Sequence, residues 1–112
     1  MQTQQIPAAL IWLDRRHALV AREFTEGALV TEVDRDFAAT ESSYLLEIVR
    51  QAADTDRIVV MGPDGSRVAF EREYVSLYQR PERLVDAGDE SEPNPRELVD
   101  RLRFILGGGD RS

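Results

Sequence analysis

Short hydrophobic runs separated by polar turns predict alternating strands and helices along this chain. The run at 8–14 (Ala-Ala-Leu-Ile-Trp-Leu-Asp) is typical of a strand buried on both faces. Side chains alternate over 18–24 and again over 29–33, and the segment between them contains Gly27, which tolerates a positive φ and favours a hairpin. The first third of the chain is therefore predicted to be an antiparallel meander of three strands.

Three helices are predicted where apolar residues recur every three or four positions. The first runs from Glu41 to about residue 53 with Thr40 as its N-cap, and the second runs over 66–79 until Pro81 stops it. The third begins after Asn94, because Asn-Pro-Arg-Glu forms a capping box with a proline at the first helical position.

Two further apolar runs, at 57–61 and 83–87, each precede a helical pattern and predict two more strands. The element order is β-β-β-α-β-α-β-α, which favours an α/β domain with a five-stranded mixed sheet covered by helices. We expect one domain over 8–106, with flexible tails at 1–7 and 107–112.

Composition narrows the class of protein. The chain has 112 residues, of which 42% are hydrophobic and 31% charged, as in an ordinary globular domain. It contains no cysteine, so neither a disulfide framework nor a thiolate metal site is expected, and a cytoplasmic location is the default. No apolar stretch has the length of a membrane span, and the amino terminus does not resemble a signal peptide.

The net charge of −7 makes strong nucleic-acid binding unexpected, because phosphate contacts draw their affinity from cations. All 14 cations are arginines. The aromatic content of the second helix exceeds what one core stripe needs, which favours a protein partner or a homodimer face. The predicted binding surface therefore combines arginines of the first hairpin with aromatic residues of that helix: Arg15, Arg16, Arg22, Phe70, Tyr74 and Tyr78.

Three short motifs, taken in order, resemble a known family. They are Ile11-Trp12-Leu13-Asp14 followed by Arg16 and Ala18, then 58–63 ending in Gly-Pro, then Leu84-Val85-Asp86 before the last helix. The chain resembles ribonuclease H-like folds and, more narrowly, the middle domain of eukaryotic and archaeal peptide-chain release factors and Pelota. It resembles most closely the small bacterial translational machinery proteins related to that domain. The resemblance implies a binding module associated with translation or the ribosome through protein contacts.

One difference from the family argues against a role in peptide release. Release factors carry a Gly-Gly-Gln tip between the third strand and the first helix, whereas 34–40 reads Asp-Arg-Asp-Phe-Ala-Ala-Thr. The Gly107-Gly108-Gly109 run lies beyond the last helix and lacks the glutamine. The small bacterial relatives place a basic residue soon after the Gly-Pro turn, a position that Arg67 would fill. No catalytic residue, metal site or cofactor is expected.

An enzymatic alternative is a divergent metal-dependent hydrolase or nuclease that uses Asp14 and Asp86, because two-metal sites need converging carboxylates. The competing interpretation is that Asp14 caps its turn. His17 is the only histidine and suits general base catalysis, but no nucleophile motif accompanies it. The Gly62–Ser66 turn allows an anion site on backbone amides, although we expect Asp64 to cap the helix and repel a phosphate.

Overall fold

A five-stranded mixed sheet runs through the centre of the protein in the order β3-β2-β1-β4-β5. The computed structural model describes residues 8–24 and 27–106. The strands are β1 (Ala8–Leu13), β2 (His17–Phe24), β3 (Gly27–Asp34), β4 (Arg57–Met61) and β5 (Leu84–Gly88). The helices are α1 (Glu41–Ala52), α2 (Asp64–Tyr78) and α3 (Pro95–Leu106), with a 3₁₀ turn at Pro81–Arg83. The predicted fold class and element order are confirmed.

β1 is the central strand, and all six of its residues are buried. It pairs antiparallel with β2 and parallel with β4, so that Ile11 lies between Val20 and Val60. Because both faces of β1 are covered, its sequence is a continuous apolar run rather than an alternating one.

Helices cover the two faces of the sheet unequally. α1 and α2 pack on one face and α3 packs on the other. The two cores share β1, whose odd-numbered residues face α1 and α2 while its even-numbered residues face α3. The largest fully buried side chains are, on the first face, Ile11, Leu13, Ile48, Ile58, Phe70 and Tyr74, and on the second Leu10, Leu98 and Leu102.

Two helix starts form as the sequence predicts. The hydroxyl of Thr40 accepts a hydrogen bond of 3.1 Å from the Ser43 amide. At α3, the Asn94 amide donates to Glu97 (2.9 Å) and the Glu97 amide donates to the Asn94 side chain (2.8 Å). These reciprocal bonds are those of a capping box.

The start of α2 differs from the prediction. The helix begins at Asp64, so Gly65 lies inside it and the N-cap is Pro63. The carboxylate of Asp64 pairs with the guanidinium of Arg67 one turn later instead of capping. β5 also begins one residue late, because Arg83 belongs to the 3₁₀ turn.

The prediction that Phe70 and Tyr74 form an exposed aromatic face is wrong. Both side chains are fully buried. α2 packs against α1 as well as against the sheet, and its buried residues recur at spacings of three and four on one face: Ser66, Arg67, Phe70 and Tyr74. Tyr78 is 41% exposed and its ring lies 5.2 Å from that of Tyr74.

The predicted tails at 1–7 and 107–112, and the hairpin residues Thr25 and Glu26, lie outside the described residues. Among the residues described, no helix combines the length and the apolar character that crossing a bilayer requires.

Candidate functional site at the carboxyl ends of the parallel strands

An open pocket of about 440 Å³ lies where β1 and β4 end. The chain leaves β1 toward β2 on one side and leaves β4 toward β5 on the other, so the strand order reverses between them. Open α/β sheets bind ligands at this kind of position, outside the carboxyl ends of the strands. The pocket is lined by Asp14, Arg15, Arg16, Glu41, Pro63, Gly65 and Ser66.

The turn after β1 is held by Asp14. Its carboxylate accepts hydrogen bonds from the amides of Arg16 (2.7 Å) and His17 (3.0 Å), which confirms the predicted capping role. The hydroxyl of Tyr44 donates to the Asp14 carbonyl oxygen across 2.9 Å. Burial, followed by the charge of Asp14, raises the pKa of that phenol, so Tyr44 stays protonated. The arrangement leaves Arg15 and Arg16 exposed at the rim of the pocket.

Arg35 and Phe37 lie beside this turn, on the connection between β3 and α1. The Arg35 amide donates to the Arg16 carbonyl oxygen (2.9 Å), and its guanidinium lies 4.6 Å from the centre of the Phe37 ring. Asp36 orders the connection by accepting a 2.9 Å hydrogen bond from the Ala38 amide. Phe37 is nevertheless 66% exposed. We call Arg15, Arg16, Arg35 and Phe37 the turn surface.

Phe37 was not among the residues predicted from the sequence, although it is the one aromatic residue of the connection at 34–40. A large apolar side chain that follows Arg35 and Asp36 and belongs to no helical or strand pattern could have indicated it.

Arg67 is a buried structural residue. Its guanidinium donates to the Gly62 carbonyl oxygen (2.7 Å) and pairs with both Asp64 and Asp86. The basic position after the Gly-Pro turn therefore joins α2 to β5 beneath the surface.

Glu71 and Asp86 form a carboxyl pair beside Arg67. Burial, aided by a hydrogen bond to Asp86, raises the pKa of Glu71 to about 6. Burial alone would raise the pKa of Asp86 as well, but the hydrogen bonds from Glu71, Arg67 and the Gly88 amide outweigh it and lower that pKa. Glu71 therefore keeps its proton to a higher pH than an ordinary glutamate does, a feature that the sequence did not indicate.

The enzymatic alternative finds no support in the placement of its carboxylates. Asp14 is engaged by its own turn and Asp86 by Arg67. Among the described residues, the one group of three side chains close enough to share a metal ion is His17, Glu32 and Asp34. His17 also forms a 2.9 Å hydrogen bond with Glu92 and lies against the Trp12 ring.

The six residues of the predicted binding surface do not lie together. Arg22 is near the opposite end of β2, where its guanidinium pairs with Asp54 (2.8 Å) and donates to the Gln51 carbonyl oxygen (3.1 Å). Only Arg15 and Arg16 of this set belong to the turn surface.

A separate apolar groove of about 400 Å³ runs between α3 and β4, and Phe104 at its rim is 67% exposed.

No family model matches the sequence, and no curated protein matches it. Solved structures share its fold. The chain is similar to Pelota from Archaeoglobus fulgidus at 14% identity and a TM-score of 0.66, over 94% of this chain and 33% of that one. Pelota from Thermoplasma acidophilum aligns at 17% identity and a TM-score of 0.62, over 94% of this chain and 34% of that one. The chain therefore spans about a third of the length of these proteins.

Proposed function

We propose that this chain is a non-catalytic binding module of the translation apparatus, and that it engages a protein partner through the turn surface. The observation that carries the proposal is the Pelota fold, matched over 94% of the chain. The strand order β3-β2-β1-β4-β5 also supports the ribonuclease H-like assignment that the release-factor resemblance implies. A role in translation implies a cytoplasmic location and contact with the ribosome or a factor bound to it.

Binding is favoured over catalysis by the β3–α1 connection. This is the segment that carries the Gly-Gly-Gln tip in the release factors that the chain resembles, and here it presents Phe37 on an Asp36-centred turn. A benzyl side chain has no group that would position water against an ester. The connection is suited to contact rather than hydrolysis.

The turn surface has the composition of a protein-binding site. Arginine and aromatic residues are enriched at the centres of interfaces, where a few of them supply most of the binding energy. Phe37 offers an exposed apolar ring, and Arg35, stacked on it, needs little reordering on binding because the Arg15 carbonyl oxygen already accepts from its guanidinium. Arg15 and Arg16 surround this pair with positive charge on an otherwise acidic protein.

The proposal is tested by co-sedimentation of the purified protein with ribosomes from its own cytoplasm. The variant Phe37→Ala should lower the bound fraction at least about tenfold, because hot-spot aromatic residues contribute about 2 kcal/mol or more. The control is Phe104→Ala, since Phe104 is a phenylalanine of nearly equal exposure (67% against 66%) that lies on α3, outside the turn surface. Binding that responds to Phe104→Ala and not to Phe37→Ala would refute the turn surface as the contact.

A salt series distinguishes protein from RNA contacts. Binding to a protein should change only a fewfold between 50 and 200 mM salt, whereas six or more phosphate contacts would weaken it by about a thousandfold or more. A steep loss would contradict a protein partner. No sedimentation at any salt concentration would contradict the ribosomal role.

A further inference from the structure

We propose that the pocket at the carboxyl ends of β1 and β4 binds the phosphate group of a small phosphomonoester. The inference shares Arg15 and Arg16 with the turn surface, but it rests on the interior of the pocket and does not require Phe37. Four features carry it: a helix terminus without a side-chain cap, the unpaired hydroxyl of a nearly buried serine, two arginines at the rim, and the pocket volume.

The N-terminus of α2 forms one wall. α2 has 15 residues, and its N-cap, Pro63, supplies no side-chain acceptor. The Ser66 and Arg67 amides already donate to the Pro63 carbonyl oxygen. The Asp64 and Gly65 amides come before them in the first turn, where no carbonyl oxygen of the helix is in position to accept. Open space surrounds Gly65, since a Cβ there would meet no atom within 4 Å. Free amides at the positive end of a helix dipole are suited to anion binding.

Ser66 supplies the second, independent observation. The residue lines the pocket and is only 7% exposed, yet its hydroxyl forms no hydrogen bond within the described part of the chain. The hydroxyl oxygen is not among the fully buried unpaired atoms of the described residues, so it is accessible from the pocket while the rest of the residue is buried. A donor held in this way is free to bind a ligand in the pocket. A phosphate oxygen would accept from the Ser66 hydroxyl while it also accepts from the adjacent amides.

The charges around the pocket do not oppose an anion. Asp64 was expected to repel a phosphate, but its carboxylate is paired with the Arg67 guanidinium. Arg15 and Arg16 balance the other two carboxylates of the lining, those of Asp14 and Glu41. Arg67 is shared between Asp64 and Asp86, so the balance applies to the side chains that line the pocket and not to the carboxylates behind it. Positive potential inside the pocket therefore comes from the helix terminus.

The pocket is larger than a phosphate group needs. Its volume of about 440 Å³ lies within the range of small-molecule sites, about 300–1,000 Å³. The Pro63 ring forms an apolar part of its wall. A phosphate at the helix terminus would thus leave room for an attached organic group beside the proline.

The test is an amide NMR titration of the full chain at constant ionic strength, set with chloride. The probes are inorganic phosphate, phenyl phosphate and phenol. Saturable shifts of the Gly65 and Ser66 amides are expected with both phosphates, with phenyl phosphate binding several-fold more tightly. Shifts with phenol but with neither phosphate, or no saturable shift with any probe, would overturn the proposal.

Variants separate the site from general charge effects. Ser66→Ala, which suits a helix, should weaken phosphate binding about fivefold, and the double variant Arg15→Gln/Arg16→Gln should weaken it at least about tenfold. The control is Arg80→Gln, which changes an exposed arginine near the end of α2. Equal weakening by the control would refute the pocket as the site. Phe37→Ala should leave the phosphate-induced shifts unchanged. Failure of the phosphate site can therefore be told apart from failure of the ribosome-binding proposal.

Discussion

Trp12 donates its indole N–H to the carbonyl oxygen of Glu90 across 2.8 Å, and so joins the central strand to the acidic loop before α3. The two residues are 78 positions apart in the sequence. Arg101 of α3 approaches the carboxylate of the same Glu90 at 3.6 Å. The loop is therefore held from the sheet and from α3 together, which fixes where α3 begins.

Trp12→Phe keeps an aromatic ring in the core but removes this donor. We expect the free energy of unfolding to fall by about 1 kcal/mol or somewhat more, since a buried hydrogen bond is lost and the ring is smaller. Urea denaturation measures the change, and hydrogen exchange should become faster over residues 88–94. Tyr78→Phe, at an exposed aromatic position, is the control and should change stability by less than about 0.5 kcal/mol.

Gly62→Ala should be among the most destabilising single substitutions in this protein. Gly62 has a φ of 128°, and a Cβ there would overlap the Leu13 backbone carbonyl oxygen. Backbone strain and overlap together should cost about 3 kcal/mol or more.

The matched control for that variant is Gly65→Ala, three residues along and inside α2. A Cβ at Gly65 meets no neighbour, and alanine favours a helix, so stability should rise by about 0.5–1 kcal/mol. Thermal denaturation should show a lower melting temperature for Gly62→Ala and a higher one for Gly65→Ala than for the wild type. A similar melting temperature for the two would contradict the close approach of β1 and β4 at Gly62.

Phe70→Ala should lower the free energy of unfolding by about 3–5 kcal/mol, because it removes a fully buried ring of α2 from the core that α1 and α2 form with the sheet. Phe104→Ala, at an exposed phenylalanine, should change it by less than about 0.5 kcal/mol. Urea denaturation compares the two. A small effect at Phe70 would show that α2 does not pack on the sheet in solution.

His17 should make stability depend on pH around neutrality. Burial alone would lower its pKa, but the hydrogen bond to Glu92 and the charges of Asp14 and Glu32 outweigh burial and raise the pKa above 6.5. A histidine whose pKa is higher in the folded state stabilises the fold below about pH 6.5, and this contribution is lost as the pH rises through the raised value. His17→Gln should therefore lose less stability than the wild type between pH 6 and pH 8.5 in urea denaturation. An unchanged slope in that variant would show that the His17–Glu92 pair is not formed.

Glu71 should also make the protein less stable as the pH rises, over a lower pH range than His17 does. Its pKa of about 6 lies above the ordinary 4.5, so the folded state binds a proton more tightly than the unfolded state does. Its contribution to stability is complete below pH 4.5 and is lost as the pH rises through about 6. Glu71→Gln, which keeps a donor toward Asp86, should be more stable than the wild type at pH 8 and similar to it at pH 4.5. The control is Glu73→Gln, on the same helix. Its effect on stability should be similar at pH 8 and at pH 4.5.

The parts of the fold that the sequence predicts well depend on local or strand-wide patterns. The Thr40 and Asn94 caps involve partners three residues away, so their geometry can be read from the sequence itself. The unbroken apolar run at 8–13 indicates burial on both faces wherever the strand lies in the sheet.

The candidate site depends on which elements become neighbours, and that is where prediction from sequence failed. Phe70 and Tyr74 are four residues apart and share the one buried face of α2, but which face of the helix meets α1 and the sheet depends on the neighbouring elements. Arg16 and Arg22 could not share a binding surface, because six residues of a strand span about 20 Å. Asp64 pairs with Arg67 because the helix starts two residues early, and so the expected repulsion of a phosphate does not apply.

The parallel partner of β1 comes late in synthesis. Residues 57–61 leave the ribosome after the whole meander and α1 have emerged, and until then the fourth strand cannot pair with β1. During that interval the nascent chain exposes the backbone edge of its most apolar segment, the condition under which polypeptides associate with one another. Release of a chain truncated before Arg57 should therefore yield aggregates, whereas release after Leu106 should not.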